Sequence, residues 1–229
     1  MRRSTRSLIL PLLSLLTATA VHAQDVTIGG AAETTNSFPF TNYHFQTPNR
    51  YQQLYTASNF AGPVFIDAIR FANTRSVAGG LPGSIANGDY LIRFAVTSRP
   101  ENGLTTDFDA NVGGSGSTFF SGMFTAGGLR IVGTPYLYDP SLGNLLLDVT
   151  VFSQADVGFL GLDFSRSSTD GTSRAYHSFA PPYAVVTDNA GLVTTFETRA
   201  VAVVPEPATV LLVATGLTVI GVLHRRRRA

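Results

Sequence analysis

Residues 90–96 read YLIRFAV, and this stretch decides the fold class. Its large apolar residues take every second position, with Arg93 between them: Tyr90, Ile92, Phe94 and Val96. Since successive side chains of a β-strand point to opposite faces, this alternation predicts a strand with one buried face. Other strand-like segments are VFIDAIRF (64–71), LLLDVTVF (145–152), FLGLDFS (159–165), RAYHSFA (174–180) and LVTTFETRAVAV (192–203).

Turn-forming residues separate these segments. The intervening stretches SVAGGLPGSIANGD (76–89), VGGSGS (112–117) and YDPSLGN (138–144) contain the Gly, Pro, Asn and Asp that favour turns. Many short strands joined by turns predict an all-β fold, and we expect one antiparallel β-sandwich ectodomain, jelly-roll-like, over residues 24–203. An immunoglobulin-like sandwich is the alternative, but the sequence contains no cysteine and no tryptophan for its Cys-Trp-Cys hallmark.

The first 23 residues have the three parts of a secretory signal peptide. A basic start, MRRSTR, precedes an apolar run over residues 8–16, and the small-residue step VHA comes just before Gln24. We therefore predict that residues 1–23 are a signal peptide and that signal peptidase cleaves between Ala23 and Gln24.

The far end of the sequence, residues 203–229, reads VVPEPATVLLVATGLTVIGVLHRRRRA. Residues 208–223 carry no charge, and as a helix they span roughly 24 Å, somewhat less than the roughly 30 Å hydrocarbon core of a bilayer. We expect a short transmembrane helix there. A basic cluster follows it and predicts a cytoplasmic location for that side of the helix: Arg225, Arg226, Arg227 and Arg228.

The order of Pro205, Glu206 and Pro207, an apolar helix and an arginine cluster resembles the PEP-CTERM sorting signal of exported proteins in Gram-negative bacteria. The resemblance implies that residues 204–229 are the sorting signal. It also implies processing near the Pro-Glu-Pro step by exosortase, a membrane-embedded cysteine transpeptidase-like enzyme. Proteins with this signal are associated with extracellular polysaccharide and biofilm matrix. The segments over residues 49–72 and 138–149 are similar to ectodomains attached to this signal elsewhere.

From the resemblance we expect an exported protein that is held transiently in the inner membrane and then reaches the cell surface or extracellular matrix. Its partners would be signal peptidase, exosortase, the inner membrane and extracellular polysaccharide. Nucleic acid is not expected, because residues 24–204 carry a net charge of −5 from nine arginines and fourteen acids.

No catalytic motif is evident: HExxH, the phosphate-binding GxxxxGK[ST] loop and GxSxG are all absent. The candidate ectodomain has two histidines, His44 and His177, far apart in sequence. A glycosidase needs two carboxylates across a cleft, and the strand acids Asp67, Asp148 and Asp163 and the loop acids Glu33 and Glu101 cannot be brought together from sequence. We expect no catalytic residues, with a polysaccharide-acting hydrolase or lyase with a cryptic carboxylate site as the alternative.

The best local pattern for a ligand is DFDANVG, residues 107–113, where Asp107, Asp109 and Asn111 alternate as in a calcium loop. Thr118, at the twelfth position, cannot supply a bidentate carboxylate, so an Asp/Asn-rich turn is the preferred explanation. We expect no cofactor, with calcium as the open alternative. Tyrosines could stack on sugars but more often fill the core of a sandwich: Tyr51, Tyr55, Tyr136, Tyr138 and Tyr183. The expected role is structural, adhesive or weakly carbohydrate-binding.

Overall fold

The computed structural model describes residues 23–30, 34–36, 38–40, 48–74, 85–114, 116–125, 128–155, 161–177 and 185–201, and the single residues Gly216 and Arg226. Within these ranges the strands are β1 (Ala23–Ile28), β2 (Thr34–Asn36), β3 (Asn49–Tyr55), β4 (Val64–Phe71), β5 (Gly88–Thr97), β6 (Ser117–Phe124), β7 (Arg130–Tyr138), β8 (Asn144–Gln154), β9 (Leu162–Ser165), β10 (Thr172–His177), β11 (Val185–Asp188), β12 (Gly191–Leu192) and β13 (Thr194–Ala200). A short helix, α1 (Phe108–Val112), and the 3₁₀ turns Ala57–Asn59 and Pro140–Leu142 lie between strands.

The strands form a jelly roll. One sheet has the order β1-β13-β4-β7, and a second has the order β11-β10-β3-β8-β5-β6. Four antiparallel pairs, β1 with β13, β3 with β8, β4 with β7 and β5 with β6, nest inside one another along the chain. A long hairpin folded over in this way is the jelly-roll topology. The predicted all-β fold, an antiparallel jelly-roll sandwich, is therefore confirmed.

The two sheets share one aromatic core. The Tyr55 ring, from the six-stranded sheet, meets the Phe196 ring, from the four-stranded sheet, edge-on with centroids 4.8 Å apart. Phe94 lies 6.2 Å from the same Phe196 ring. Tyr90, Ile92 and Phe94 are all buried, as the alternation in YLIRFAV predicts.

A second, smaller core covers the outer face of the six-stranded sheet. The connection between β5 and β6 folds back over that face, and its apolar side chains Leu104, Phe108 and Val112 pack against Leu54, Ala95, Leu146 and Ala175. This covering explains why three successive leucines of β8 are all buried, since each face of the strand meets an apolar layer. The sequence pattern did not predict this layer.

The predicted strand over residues 192–203 is divided in the structure. β12 joins a small three-stranded sheet of order β12-β9-β2, and β13 begins only at Thr194. The Gln53 side chain holds the division in place, because its amide donates to the Leu192 carbonyl at 2.8 Å and accepts from the Leu192 N–H at 2.9 Å. The prediction of one continuous strand over residues 192–203 is therefore wrong, because β12 ends at Leu192 and β13 begins at Thr194.

The predicted signal peptide lies outside the described residues except for Ala23, and the predicted membrane helix lies outside them except for Gly216. Among the residues that the structure does describe, no helix has both the length and the apolar character needed to cross a membrane.

Candidate functional site

The predicted sorting residues Pro205, Glu206 and Pro207 lie outside the described residues, as do Arg225, Arg227 and Arg228. Arg226 is described alone, as helical and exposed. The last continuous described range ends at Val201, and the sorting segment follows it in the sequence.

The ectodomain chain enters and leaves at the same end of the sandwich. β1 and β13 are antiparallel, with Ala23 opposite Arg199 and Gln24 opposite Thr198. The Thr198 hydroxyl also donates to the Gln24 carbonyl. The predicted signal peptidase site, Ala23 and Gln24, therefore lies beside the last strand before the sorting segment.

A groove of about 440 Å³ opens at this end. Its lining comes from the start of β1, the loop before β4 and the end of β13, and none of these residues is charged: Gln24, Val26, Asn59, Phe60, Ala61, Gly62, Pro63, Val64, Thr198, Ala200 and Val201. The register places Val64 opposite both Ala200 and Tyr138, so the turn that follows β7 lies at the same end.

The three calcium candidates have separate protein partners. The Asp107 carboxylate caps α1 by accepting from the N–H groups of Asp109 and Ala110, both at 3.0 Å. Asp109 accepts from Arg50 at 2.8 Å, and the Arg50 guanidinium lowers the pKa of the Asp109 carboxyl through this hydrogen bond. Asn111 is fully buried and is bound by Thr105 and Gln52. These contacts explain the alternation as a capped helical turn.

Asp148 anchors a charged cluster on the outer face of the six-stranded sheet. Its carboxylate accepts from Arg50 Nε at 2.8 Å, from Arg50 Nη2 at 2.9 Å and from Arg93 Nη2 at 2.5 Å. Its side chain is 1% exposed, whereas that of Asp109, the second acid on Arg50, is 88% exposed. Arg50 and Arg93 are candidate site residues that the sequence did not indicate. Arg50 lies in β3, Arg93 in β5 and Asp148 in β8, and these strands are far apart along the chain.

His177 belongs to this cluster. Its Nδ1 accepts from the Arg50 backbone N–H at 3.1 Å, and its ring meets Phe108 edge-on with centroids 5.1 Å apart. Burial, and then the nearby Arg50 charge, lower the pKa of His177. An imidazole that accepts at Nδ1 is the neutral form, so the geometry agrees with this direction. His44 lies outside the described residues.

Arg174, whose side chain is buried, forms a second ion pair with the partly exposed Asp188. Its guanidinium donates to both Asp188 oxygens at 2.8 and 2.9 Å, and its central carbon lies 4.5 Å from the centroid of the Phe164 ring and 4.4 Å from that of Tyr176. The guanidinium therefore combines a two-point ion pair with cation–π contacts to two rings. This arrangement ties β10 to β11 and the small sheet.

The other candidate acids are dispersed. Asp67 pairs with Arg199 at 3.0 Å, Asp163 is buried and accepts from the Thr74 hydroxyl at 2.6 Å, and Glu101 accepts from the Gly171 N–H at 2.9 Å. Glu33 lies outside the described residues. In the part of the chain that is described, no group of three or more His, Cys, Asp or Glu side chains could hold a metal ion.

The tyrosines are largely core residues. Tyr51, Tyr55 and Tyr138 are fully buried, and burial raises the pKa of each phenol. Tyr136 is half-buried, and Tyr183 lies outside the described residues. The buried rings face the sandwich interior and are not available for stacking on a sugar.

Comparison with known proteins supports the sorting segment. The family model described as "PEP-CTERM protein-sorting motif" matches residues 203–228. The sequence search found no match among curated proteins, and the structure search found none among solved structures. The motif match supports the PEP-CTERM interpretation, and it indicates an exported protein that is sorted through the membrane with exosortase as its processing partner.

Proposed function

We propose that this is a non-enzymatic protein of the cell surface or extracellular matrix, delivered there after exosortase acts at Pro205, Glu206 and Pro207. Its jelly-roll ectodomain serves a structural or adhesive role, with weak binding to extracellular polysaccharide. The delivery part is supported by the sorting motif matched over residues 203–228.

The use of the carboxylates carries the non-enzymatic part of the proposal. Acids on the outer face of the four-stranded sheet are engaged with arginines: Asp25 with Arg70, Asp67 with Arg199 and Glu197 with Arg130. Acids in loops hold turns, as Asp139 does by accepting from the Ser141 N–H at 2.9 Å. Carboxylates committed to ion pairs and turns favour a rigid scaffold over proton transfer.

Asp148 and Asp109 are the acids that most resemble a catalytic pair, since both contact Arg50. A glycosidase needs a general acid whose pKa is raised so that it stays protonated. Arg50 instead lowers the pKa of Asp109, and Asp148 is closed off from solvent beneath two arginines. Both features argue against the hydrolase alternative.

The sorting part is tested by changing Glu206 to Ala in the native host and following the size and location of the protein. Thr209→Ala, three residues further on, is the matched control. We expect the wild type and T209A to lose the C-terminal sorting segment and to be delivered to the surface, and E206A to keep that segment and stay in the inner membrane. Unchanged size and surface delivery of E206A would overturn the sorting proposal.

The non-enzymatic part is tested with the mature protein and extracellular polysaccharide purified from the host. We expect the protein to co-sediment with the polysaccharide without producing new reducing ends or unsaturated sugars. Turnover that is seen with the wild type and lost in Asp109→Asn would favour the enzyme instead.

A further inference from the structure

The end of the sandwich where the chain leaves has the character of a docking surface. We call it the exit end and define it by Val201, the loop over residues 61–63 and the 3₁₀ turn Pro140–Leu142. The groove described above opens here, and its walls are uncharged. Leu142, at the end of the 3₁₀ turn, is 71% exposed.

The sorting step lies very close to the exit end. Only residues 202–204 separate Val201 from Pro205. A fully extended chain advances at most about 3.6 Å per residue, so Pro205 lies within roughly 14 Å of Val201. An enzyme that holds Pro205–Pro207 therefore works within roughly 14 Å of the exit end, so its surface around the binding site comes close to the folded domain.

The chemistry of the exit end suits an apolar contact. Ala61 and Pro63 are exposed beside the groove, and Leu142 projects from the neighbouring turn. The Phe60 ring packs edge-on against Tyr138, with centroids 4.8 Å apart, and the Tyr138 hydroxyl donates to the Gly143 carbonyl at 2.8 Å. These contacts hold the two loops together, so the exposed apolar groups sit on a fixed support.

We propose that the exit end docks on the extracytoplasmic face of the membrane-embedded enzyme that reads the Pro-Glu-Pro step. This inference rests on the proposed sorting function and adds to it a contact outside the sorting motif. The short stem, residues 202–204, sets the distance, and the uncharged groove and Leu142 supply an apolar surface that makes the folded domain part of the substrate.

The test compares two glutamate substitutions at exposed apolar residues on opposite ends of the sandwich. Leu142→Glu places a charge on the exit end, and Met123→Glu is the matched control, because Met123 is 62% exposed and lies opposite Asp89 at the far end of β5. The full chain is expressed in the host, and a pulse-chase experiment measures the rate at which its C-terminal sorting segment is removed. We expect L142E to slow shortening at least about tenfold and M123E to leave it unchanged. Shortening of L142E at the wild-type rate would overturn the proposal.

A longer stem provides a second measurement that does not depend on how well L142E folds. A flexible Gly/Ser insertion of roughly ten residues after Val201 would let the enzyme reach the motif without touching the exit end. We expect L142E and wild type to be shortened at equal rates when both carry the insertion. A defect in L142E that persists with the long stem would contradict docking at this surface.

A lipid contact is distinguished by vesicles of phosphatidylethanolamine and phosphatidylglycerol that contain no enzyme. We expect the processed wild type and L142E to bind these vesicles equally weakly, and weaker binding of L142E would assign the surface to lipid instead of the enzyme.

The E206A variant separates the docking proposal from the sorting proposal. Normal shortening of E206A defeats the sorting function itself, whereas blocked E206A with normal L142E defeats the docking inference alone.

Discussion

Asp148 lies beneath Arg50, and the two side chains face each other in a planar, two-point ion pair. Arg50 Nε and Nη2 donate to the two carboxylate oxygens at 2.8 and 2.9 Å, and the Asp148 side chain is 1% exposed. Burying a carboxylate costs free energy unless a charged partner and hydrogen-bond donors compensate it. The pair joins β3 to β8, which form one of the nested hairpins of the jelly roll.

Removing the Asp148 carboxylate should be costly. Asp148→Ala leaves Arg50 and Arg93 without their shared acceptor, and breaking a buried ion pair from one side costs about 3–5 kcal/mol. We expect a loss toward the lower end of this range, because Arg50 keeps Asp109 as a partner and both arginines are partly exposed. Asp25→Ala is the control, because its pair with Arg70 is about half exposed, and such pairs contribute about 1 kcal/mol or less. Urea denaturation of both variants measures the difference. Equal free energies of unfolding for the Asp148→Ala and Asp25→Ala variants would show that the Asp148 cluster does not stabilise the fold more than an exposed ion pair does.

Gln53 should be more important than a typical glutamine. Its amide makes both hydrogen bonds to the buried Leu192 backbone, and its Oε1 also accepts from the Tyr51 hydroxyl. Gln53→Leu would remove the acceptor of the Leu192 N–H and of the Tyr51 hydroxyl, at about 1–3 kcal/mol for each buried group. The Leu192 carbonyl would keep its hydrogen bond from the Thr194 hydroxyl at 3.0 Å. We expect a loss of at least about 2 kcal/mol in the free energy of unfolding. Thr195→Ala, which removes an exposed hydroxyl contact with Thr27, should change it by less than about 1 kcal/mol.

The sequence predicted the strands and the sandwich because alternation and turn residues are local signals. YLIRFAV is buried at Tyr90, Ile92 and Phe94 for that reason. The covering layer around α1 could not be predicted, because α1 is only five residues long and Phe108 and Val112 are buried by tertiary contacts with Leu54 and Leu146.

The charged cluster was beyond sequence reasoning for a related cause. Arg50 and Asp148 are 98 positions apart and become neighbours only when β3 pairs with β8. The sorting segment is the opposite case. Pro205, Glu206 and Pro207 are contiguous in sequence, so the motif can be recognised without knowing the fold. That segment could therefore be identified from the sequence, whereas the partners of Asp148 could not.

Gly133 should not tolerate a side chain. A Cβ at this position would lie 2.4 Å from the Phe119 carbonyl oxygen and 2.7 Å from the Phe119 ring. Gly133→Ala must therefore move β7 or β6, and we expect a loss of about 1–3 kcal/mol, as for overpacking in a core. Gly114→Ala is the control, because nothing lies within 4 Å of its Cβ. Thermal unfolding should show a lower Tm for G133A and an unchanged or slightly higher Tm for G114A.

The capped-turn explanation of Asp107, Asp109 and Asn111 can be separated from calcium binding by Asp107→Asn. Asparagine caps a helix about as well as aspartate, but it lacks the charge that favours calcium. We expect D107N to keep the wild-type Tm. We expect Asp107→Ala to lose about 1 kcal/mol of folding stability and to melt at a lower Tm. The Tm of each protein should be the same with millimolar calcium and with a chelator. A Tm that rises with calcium in the wild type and not in D107N would favour the calcium site.

High pH should unfold the domain through its buried tyrosines. Burial raises the pKa of Tyr90 to about 12, and it also raises the pKa values of Tyr51, Tyr55 and Tyr138. In the unfolded chain these phenols ionise near pH 10, so above that value the unfolded state binds fewer protons than the folded state and stability falls as pH rises. The stabilisation is therefore complete below about pH 10, and for Tyr90 it is lost between about pH 10 and 12.

The slope of stability against pH measures how many buried phenols take part. Each one should contribute a loss of about 1.4 kcal/mol per pH unit in that window. Tyr90→Phe should be less stable at neutral pH, because the Tyr90 hydroxyl donates to the Ala86 carbonyl at 2.8 Å and accepts from Gln154 Nε2 at 2.8 Å. It should nevertheless show a shallower fall between about pH 10 and 12. Urea titrations at several pH values provide the test, and an identical slope in Y90F and wild type would show that Tyr90 ionises normally in the folded protein.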